Sequence, residues 1–163
     1  VPAAAGIPLT HRGVACSFQV VSGHAGAAGV IEQVGSADTD TTLVLLMGTR
    51  HLRATAEALV AQGRSADTPA AIVERGWTPE QRTLVGTLAD IADIAERGRA
   101  ESPAIVVIGE VVNLRASLGD LARASTSAGH TLPEHTSTQP PVTAPAAPAT
   151  APIAHSPALS VLL

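Results

Sequence analysis

The chain has no lysine and no tyrosine, and only one cysteine, one tryptophan, one phenylalanine and one methionine among 163 residues. All ten basic residues are therefore arginines, set against 14 acidic ones, for a formal charge of -4. A nucleic-acid binder needs a dense basic face to neutralise phosphates, so that class is excluded. A lone Cys16 cannot close an intramolecular disulfide, and a reducing compartment is the simpler setting. With aromatics this scarce, the core must come from Val, Leu, Ile and Ala, which suits α/β layers better than a β-sandwich with aromatic plugs. No apolar run reaches the roughly 18 residues that span a bilayer, and Val1–Ile7 lacks the charged and apolar regions of a signal peptide. Composition thus points to a soluble, cytoplasmic α/β domain that touches no membrane. Val1 in place of Met signals either a chain beginning partway through a larger protein or a processed start.

Composition shifts near residue 116. Residues 1–115 read as one domain, with apolar runs alternating with helix-like stretches. Residues 116–163 drift into Ser, Thr, Ala and Pro, and Pro140–Pro157 is low-complexity sequence that cannot bury enough apolar surface to offset its ordering entropy. A disordered tail is expected there, ending in a short apolar Leu159–Leu163. Five runs read as strands: Cys16–Ser22, Thr42–Met47, Ala70–Glu74, Arg82–Thr87 and Ala104–Gly109. LVLLM and AIVVIG are apolar at nearly every position, as interior strands are. Arg50–Gln62 and Leu88–Arg97 carry apolar residues at helical spacing and stop at Gly63 and Gly98. The expected fold class is α/β, a mixed or mostly parallel sheet of about five strands flanked by helices.

Four segments occur in an order and spacing that resemble the C-terminal half of the uroporphyrinogen-III C-methyltransferases, within the tetrapyrrole methylase family. They are VPAAAGIPLTHRG (Val1–Gly13), TTLVLLMG (Thr41–Gly48), TPAAIVERGWTPEQRTLVGTLADI (Thr68–Ile91) and SPAIVVIGEVVNLR (Ser102–Arg115). The resemblance implies the second domain of that fold. It also implies methyl transfer from S-adenosyl-L-methionine to C2 and C7 of uroporphyrinogen III, giving precorrin-2 for siroheme and cobalamin synthesis. A homodimer, a tetrapyrrole substrate and a cofactor cleft between two domains follow from the same likeness.

Methyl transfer from a sulfonium is an in-line displacement in which the protein mainly positions two reactants. A soft side chain and close backbone approach suit such a cofactor, and Met47 with Gly48 offers both. Gly76 and Trp77 form a second candidate pair. The Met47–Gly48 and Gly76 positions match family cofactor positions, with Trp77 beside the latter; by itself Met47 reads as a core gap-filler and Gly76 as a turn glycine. Thr10, His11 and Arg12 stand at the family's THR signature. Arg12 either pairs with the carboxylates of a tetrapyrrole periphery or caps a surface loop with Thr10, and Gln81 and Arg82 fall under the same argument.

Other features read as structure. Gly23–Gly29, GHAGAAG, is neither a dinucleotide nor a P-loop and is expected to be a flexible loop. The six histidines form no metal signature, so no metal is expected. Cys16 reads as a small buried strand residue, and Asp90, Asp93 and Glu96 as the solvated face of a helix. Trp77 departs from a small residue such as Thr in the family, and either lines or obstructs an adenine pocket. The family's first half, with its cofactor loops and acid–base residues, has no counterpart here, so the catalytic residues are unknown. This chain alone is expected not to be a competent enzyme. Another precorrin methyltransferase, or a non-catalytic remnant serving as an interaction module, remain open alternatives.

Overall fold

In a computed structural model of the protein, residues 1–35 and 40–121 are described. The Pro/Ala-rich stretch with His130, His135 and His155 lies outside them, as does the terminal Leu159–Leu163. Five strands form one sheet: β1 (Ser17–Ser22), β2 (Thr41–Leu46), β3 (Pro69–Glu74), β4 (Arg82–Thr87) and β5 (Ala104–Ile108). Four helices accompany them: α1 (Gly26–Val34), α2 (Leu52–Ala61), α3 (Ile91–Arg97) and α4 (Arg115–Leu118). The strand order is β1-β2-β5-β3-β4. Only β1 and β2 pair in parallel; β5 runs antiparallel to both β2 and β3, and β4 antiparallel to β3. The sheet is therefore mixed, not mostly parallel. The last strand slots between two that run the same way, so it must oppose both.

Strand alternation divides the apolar residues between two faces. One face carries Val21, Leu43, Leu45, Ala70, Ile72, Val106 and Ile108, all buried under Leu52, Ala56 and Leu59 of α2, Ile91 of α3 and Val30 of α1. In α2 the buried positions Leu52, Thr55, Ala56 and Leu59 fall at i, i+3, i+4 and i+7, the stripe an amphipathic helix turns to a core. The second face carries Ala71, Val73 and Val107, packed against Ala5, Ile7, Val111 and Val112. The chain start covers the middle of this face, while Phe18, Val20 and Leu46 at the β1–β2 side stay half-exposed.

Three expectations need correction. Gly23–Gly29 is not a loop throughout, because Gly26 opens α1. This helix has no side-chain cap and buries little beyond Val30, so its glycine-rich start conceals it. Cys16 is exposed, ahead of β1 and outside it. α3 begins at Ile91, not Leu88, because Asp90 Oδ1 turns back to accept the Thr87 amide at 2.6 Å and the Thr87 hydroxyl at 3.1 Å. The acidic face of α3 is also engaged: Arg53 of α2 donates to Asp93 at 2.6 Å and Glu96 at 2.9 Å, joining the two helices.

Candidate functional site

Strand direction decides what meets what. β1, β2 and β3 finish at the same end of the sheet, where β4 and β5 begin, because Leu46 pairs with Ile105 while Glu74 pairs with both Ala104 and Arg82. Met47, Gly48, Gly76 and Trp77 therefore all lie at this end, one pair on each side of the start of β5. Two cavities open there. One, of about 460 Å³, lies beside Met47, Thr49 and His24, and the other, of about 410 Å³, beside Arg75, Gly76 and Thr78. Pro103 and Ala104 form a wall common to both. This wall was not singled out from the sequence; its signal was SPAIVVIG beginning at Ser102, which promises a strand start and nothing about what flanks it.

The backbone here is bent against preference. Met47 (φ 55°), Arg75 (45°), Trp77 (66°) and Arg99 (49°) are the non-glycine residues with left-handed φ among the described residues, and all four sit at this end. Such conformations cost about 1–2 kcal/mol each. They persist only where the surroundings over-determine them, and they gather at ligand-handling sites. Met47 is not at the end of a buried strand: it follows β2 and is 60% exposed, its thioether turned out of the core. Trp77 is 63% exposed. Gly48 is buried, and an added Cβ there would stand 2.9 Å from the Leu45 Cβ; at Gly23 an added Cβ would stand 2.7 Å from the Gly48 Cα, so the bare Gly23 is what lets these two backbones approach. Gly23 is thus a packing glycine against Gly48 and not simply part of a flexible loop. At Gly76 an added Cβ would meet the exposed Val1 side chain at 2.3 Å, so a larger residue there would have to displace Val1.

Two polar clamps hold the connection between β3 and β4. Glu74, fully buried, accepts hydrogen bonds from Arg82 Nε and from the Glu101 amide. Burial pushes its carboxyl upward, but the bonds from Arg82 and Glu101 and the charges of Arg82 and Arg75 outweigh that, and its pKa falls below the ordinary glutamate value. Arg75 adds an ion pair to Glu101 at 2.7 Å and donates its amide to Pro103 O at 2.9 Å. On the other side Gln81, 4% exposed, accepts the Trp77 amide at 2.9 Å and donates to Asp120 at 2.9 Å. Gln81 and Arg82, weighed above as substrate contacts, are thus engaged inside the protein, Arg82 also reaching Arg99 O at 3.2 Å.

Thr10, His11 and Arg12 lie elsewhere. With Cys16 and Asp40 they line a cavity of about 640 Å³ beside the starts of β1 and β2, the opposite end of the sheet. A six-residue strand separates the two groups, ~17 Å at 3.3 Å per residue. All three residues are exposed, and His11 Nδ1 contacts Arg12 O at 2.9 Å. The structure therefore brings the four cofactor candidates together and keeps the three substrate candidates apart from them.

The profile of the Tetrapyrrole (Corrin/Porphyrin) Methylases matches residues 1–92. The chain belongs to the tetrapyrrole methylases. Among this family's members, an S-adenosyl-L-methionine-dependent uroporphyrinogen III methyltransferase of Methanosarcina barkeri is 41% identical over 126 residues, covering 74% of this chain and 48% of the relative. A siroheme synthase of Neisseria meningitidis is 45% identical over 133 residues, 79% of this chain and 27% of the relative. The crystal structure of a uroporphyrin-III C-methyltransferase of Thermus thermophilus, complexed with S-adenosyl homocysteine, superposes with a TM-score of 0.52 at 36% identity, covering 68% of this chain and 49% of that one. This tetrapyrrole methylase chain thus spans half or less of the length of these relatives.

Proposed function

We propose that the chain supplies the second domain of an S-adenosyl-L-methionine-dependent uroporphyrinogen-III C-methyltransferase serving siroheme and cobalamin synthesis. The observation that carries this reading is the convergence of Met47, Gly48, Gly76 and Trp77 on one sheet end, where Met47 lines one and Gly76 the other of two cavities with a common wall. Their combined size falls in the range of small-molecule sites. The exposed Met47 thioether and Trp77 ring provide soft and aromatic surface for the sulfonium and adenine portions. When bound, the cofactor supplies an activated methyl group. The residues of this chain bind and orient the donor. Arg12, with Thr10 and His11, grips peripheral carboxylates of a tetrapyrrole through charge-assisted bonds. The separation of ~17 Å between Arg12 and the Met47 end suits a grip on the periphery of a large substrate, or on a neighbouring subunit's substrate, rather than on the reacting carbon. The catalytic acid and base come from the remainder of the enzyme. Half-exposed Phe18, Val20 and Leu46 support assembly as a homodimer, and the reading as a whole places the enzyme in the cytoplasm.

Calorimetric titration with S-adenosylhomocysteine, with and without the N-terminal half of a relative, tests the reading. Binding that needs the added half supports a site divided between two domains. Binding by the chain alone places the dominant contacts at the Met47 end. Silence in both experiments overturns the methyltransferase reading.

A further inference from the structure

The connection from Arg75 to Gln81 bends through two left-handed non-glycine residues, φ 45° at Arg75 and 66° at Trp77, which L side chains resist. Something must hold each in place. Arg75 is fastened to β5 through Pro103 O and Glu101. Trp77 is fastened differently. Its amide donates to Gln81 Oε1 at 2.9 Å, and the other end of the same buried side chain donates to Asp120 Oδ1 at 2.9 Å. Asp120 lies 39 residues further on, after α4, and accepts from Arg115 at 3.3 Å through its second oxygen. The segment bearing it is seated on the chain start: an added Cβ on Gly6 would fall 1.8 Å from the Gly119 carbonyl oxygen. An amide with both ends used in this way transmits position, because its carbonyl serves one partner only while its NH2 serves the other.

We propose that Gln81 and Asp120 are positioning residues for the Trp77 turn, so that the segment after α4 sets how firmly this turn holds the S-adenosyl group. The ligand part rests on the cofactor reading above; the positioning part does not. Asp120 touches neither cavity, so it acts only through Gln81.

Trp77 is the single tryptophan of the 163-residue chain, so its fluorescence reports the turn directly. Acrylamide quenching and anisotropy are measured on the intact chain, with circular dichroism as the folding check. Asp120→Ala removes the acceptor and is expected to raise quenching and lower anisotropy. It also weakens S-adenosylhomocysteine about tenfold, the worth of one hydrogen bond to a charged group. Gln81→Glu keeps the acceptor for Trp77 but sets two carboxylates face to face, and loosens the turn likewise. The pair Gln81→Glu with Asp120→Asn reverses the polarity of that bond and restores both signals. A purely structural role for Asp120 lowers the melting temperature without that rescue. Unchanged Trp77 quenching in Asp120→Ala, or a double variant no better than Gln81→Glu alone, overturns the positioning role. If the wild-type chain binds no S-adenosylhomocysteine even with the added N-terminal half, the cofactor reading and the ligand part fall together, while quenching of the free chains still decides whether the turn is held.

Discussion

At the Met47 end of the sheet the backbone is bent into left-handed conformations at four non-glycine residues, and buried polar groups reach in from several elements to hold it there. At the opposite end the Thr10–Cys16 turn is exposed and closed by its own backbone, with His11 N donating to Ala15 O and Val14 N to His11 O, both at 3.0 Å. The first end is determined by residues far apart in sequence: Glu74 with Glu101, Gln81 with Asp120, Gly23 with Gly48. The second is determined locally. A ligand whose reacting group must be placed to a fraction of an ångström suits a determined end. A large, many-carboxylate ligand gripped at its rim suits an open loop with an arginine. Loss of a single tether is thus expected to be costly at the first end and nearly silent, for stability, at the second.

The largest effect is expected at Glu74. Glu74→Ala strips the buried acceptor from the Glu101 amide and from Arg82, and about 3 kcal/mol of stability goes with it, read as a lower urea midpoint with unchanged slope. The pH dependence follows the same residue. Its folded pKa lies below the ordinary value, so its contribution is present in full above the unfolded glutamate pKa, about 4.3, and is lost as pH falls through the lower folded value. Glu74→Gln is therefore expected to flatten the acid limb of a melting-temperature profile below about pH 4. A variant with an undiminished acid limb would break the assignment.

Gly23→Ala comes next. The new methyl meets backbone, the Gly48 Cα at 2.7 Å, and backbone cannot swing aside, so a loss of about 1–3 kcal/mol is expected. Calorimetric melting checks it, with Gly13→Ala as the counterpart at the other end, where an added Cβ meets nothing within 4 Å but φ is 78°. Met47→Gly then separates fold from function. Relief of left-handed strain and the added freedom of the unfolded chain nearly cancel, leaving stability within about 0.5 kcal/mol, while S-adenosylhomocysteine affinity falls with loss of the thioether. Unchanged affinity would remove Met47 from the site. The smallest effect on stability belongs to Arg12→Ala, an exposed change expected to stay within about 0.5 kcal/mol. Its signature is weaker tetrapyrrole binding with S-adenosylhomocysteine binding intact; a loss of both would contradict the separation of the two ends.

Much of this architecture is legible in the sequence, because most of it is written in short-range pattern. All five strands sit within a residue of their expected limits, since LVLLM and AIVVIG are too apolar to be anything but interior, and α2 follows from apolar spacing alone. What escapes is whatever depends on partners distant in sequence. α1 hides because GAAG offers neither cap nor stripe; its stability comes from packing on α2 and β1. Cys16 looks like a strand residue because apolar neighbours flank it, yet pairing begins one residue later. Glu74 and Gln81 look like a charged strand end and a surface polar residue, and nothing local announces that Glu101 and Asp120 will bury them in bonds. The candidate site residues came from resemblance. Their division between the two ends of the sheet needed the register.

One consequence concerns the order in which the molecule can be made. Among the described strands β5 is the last in sequence, and it occupies the centre of the sheet, between β2 and β3. Until Ala104–Ile108 leaves the ribosome, these four strands can form only two separate pairs, β1 with β2 and β3 with β4, each with an extra open edge that β5 later covers. Exposed edges of this kind recruit other chains, and central pairing across more than 60 residues, Leu43 to Ile108, is slow because a long loop must close first. The run AIVVI is thus a keystone delivered late. Until then the facing edges of β2 and β3 stay open, and any shortened product ending before Ala104 has two half-sheets that no strand joins.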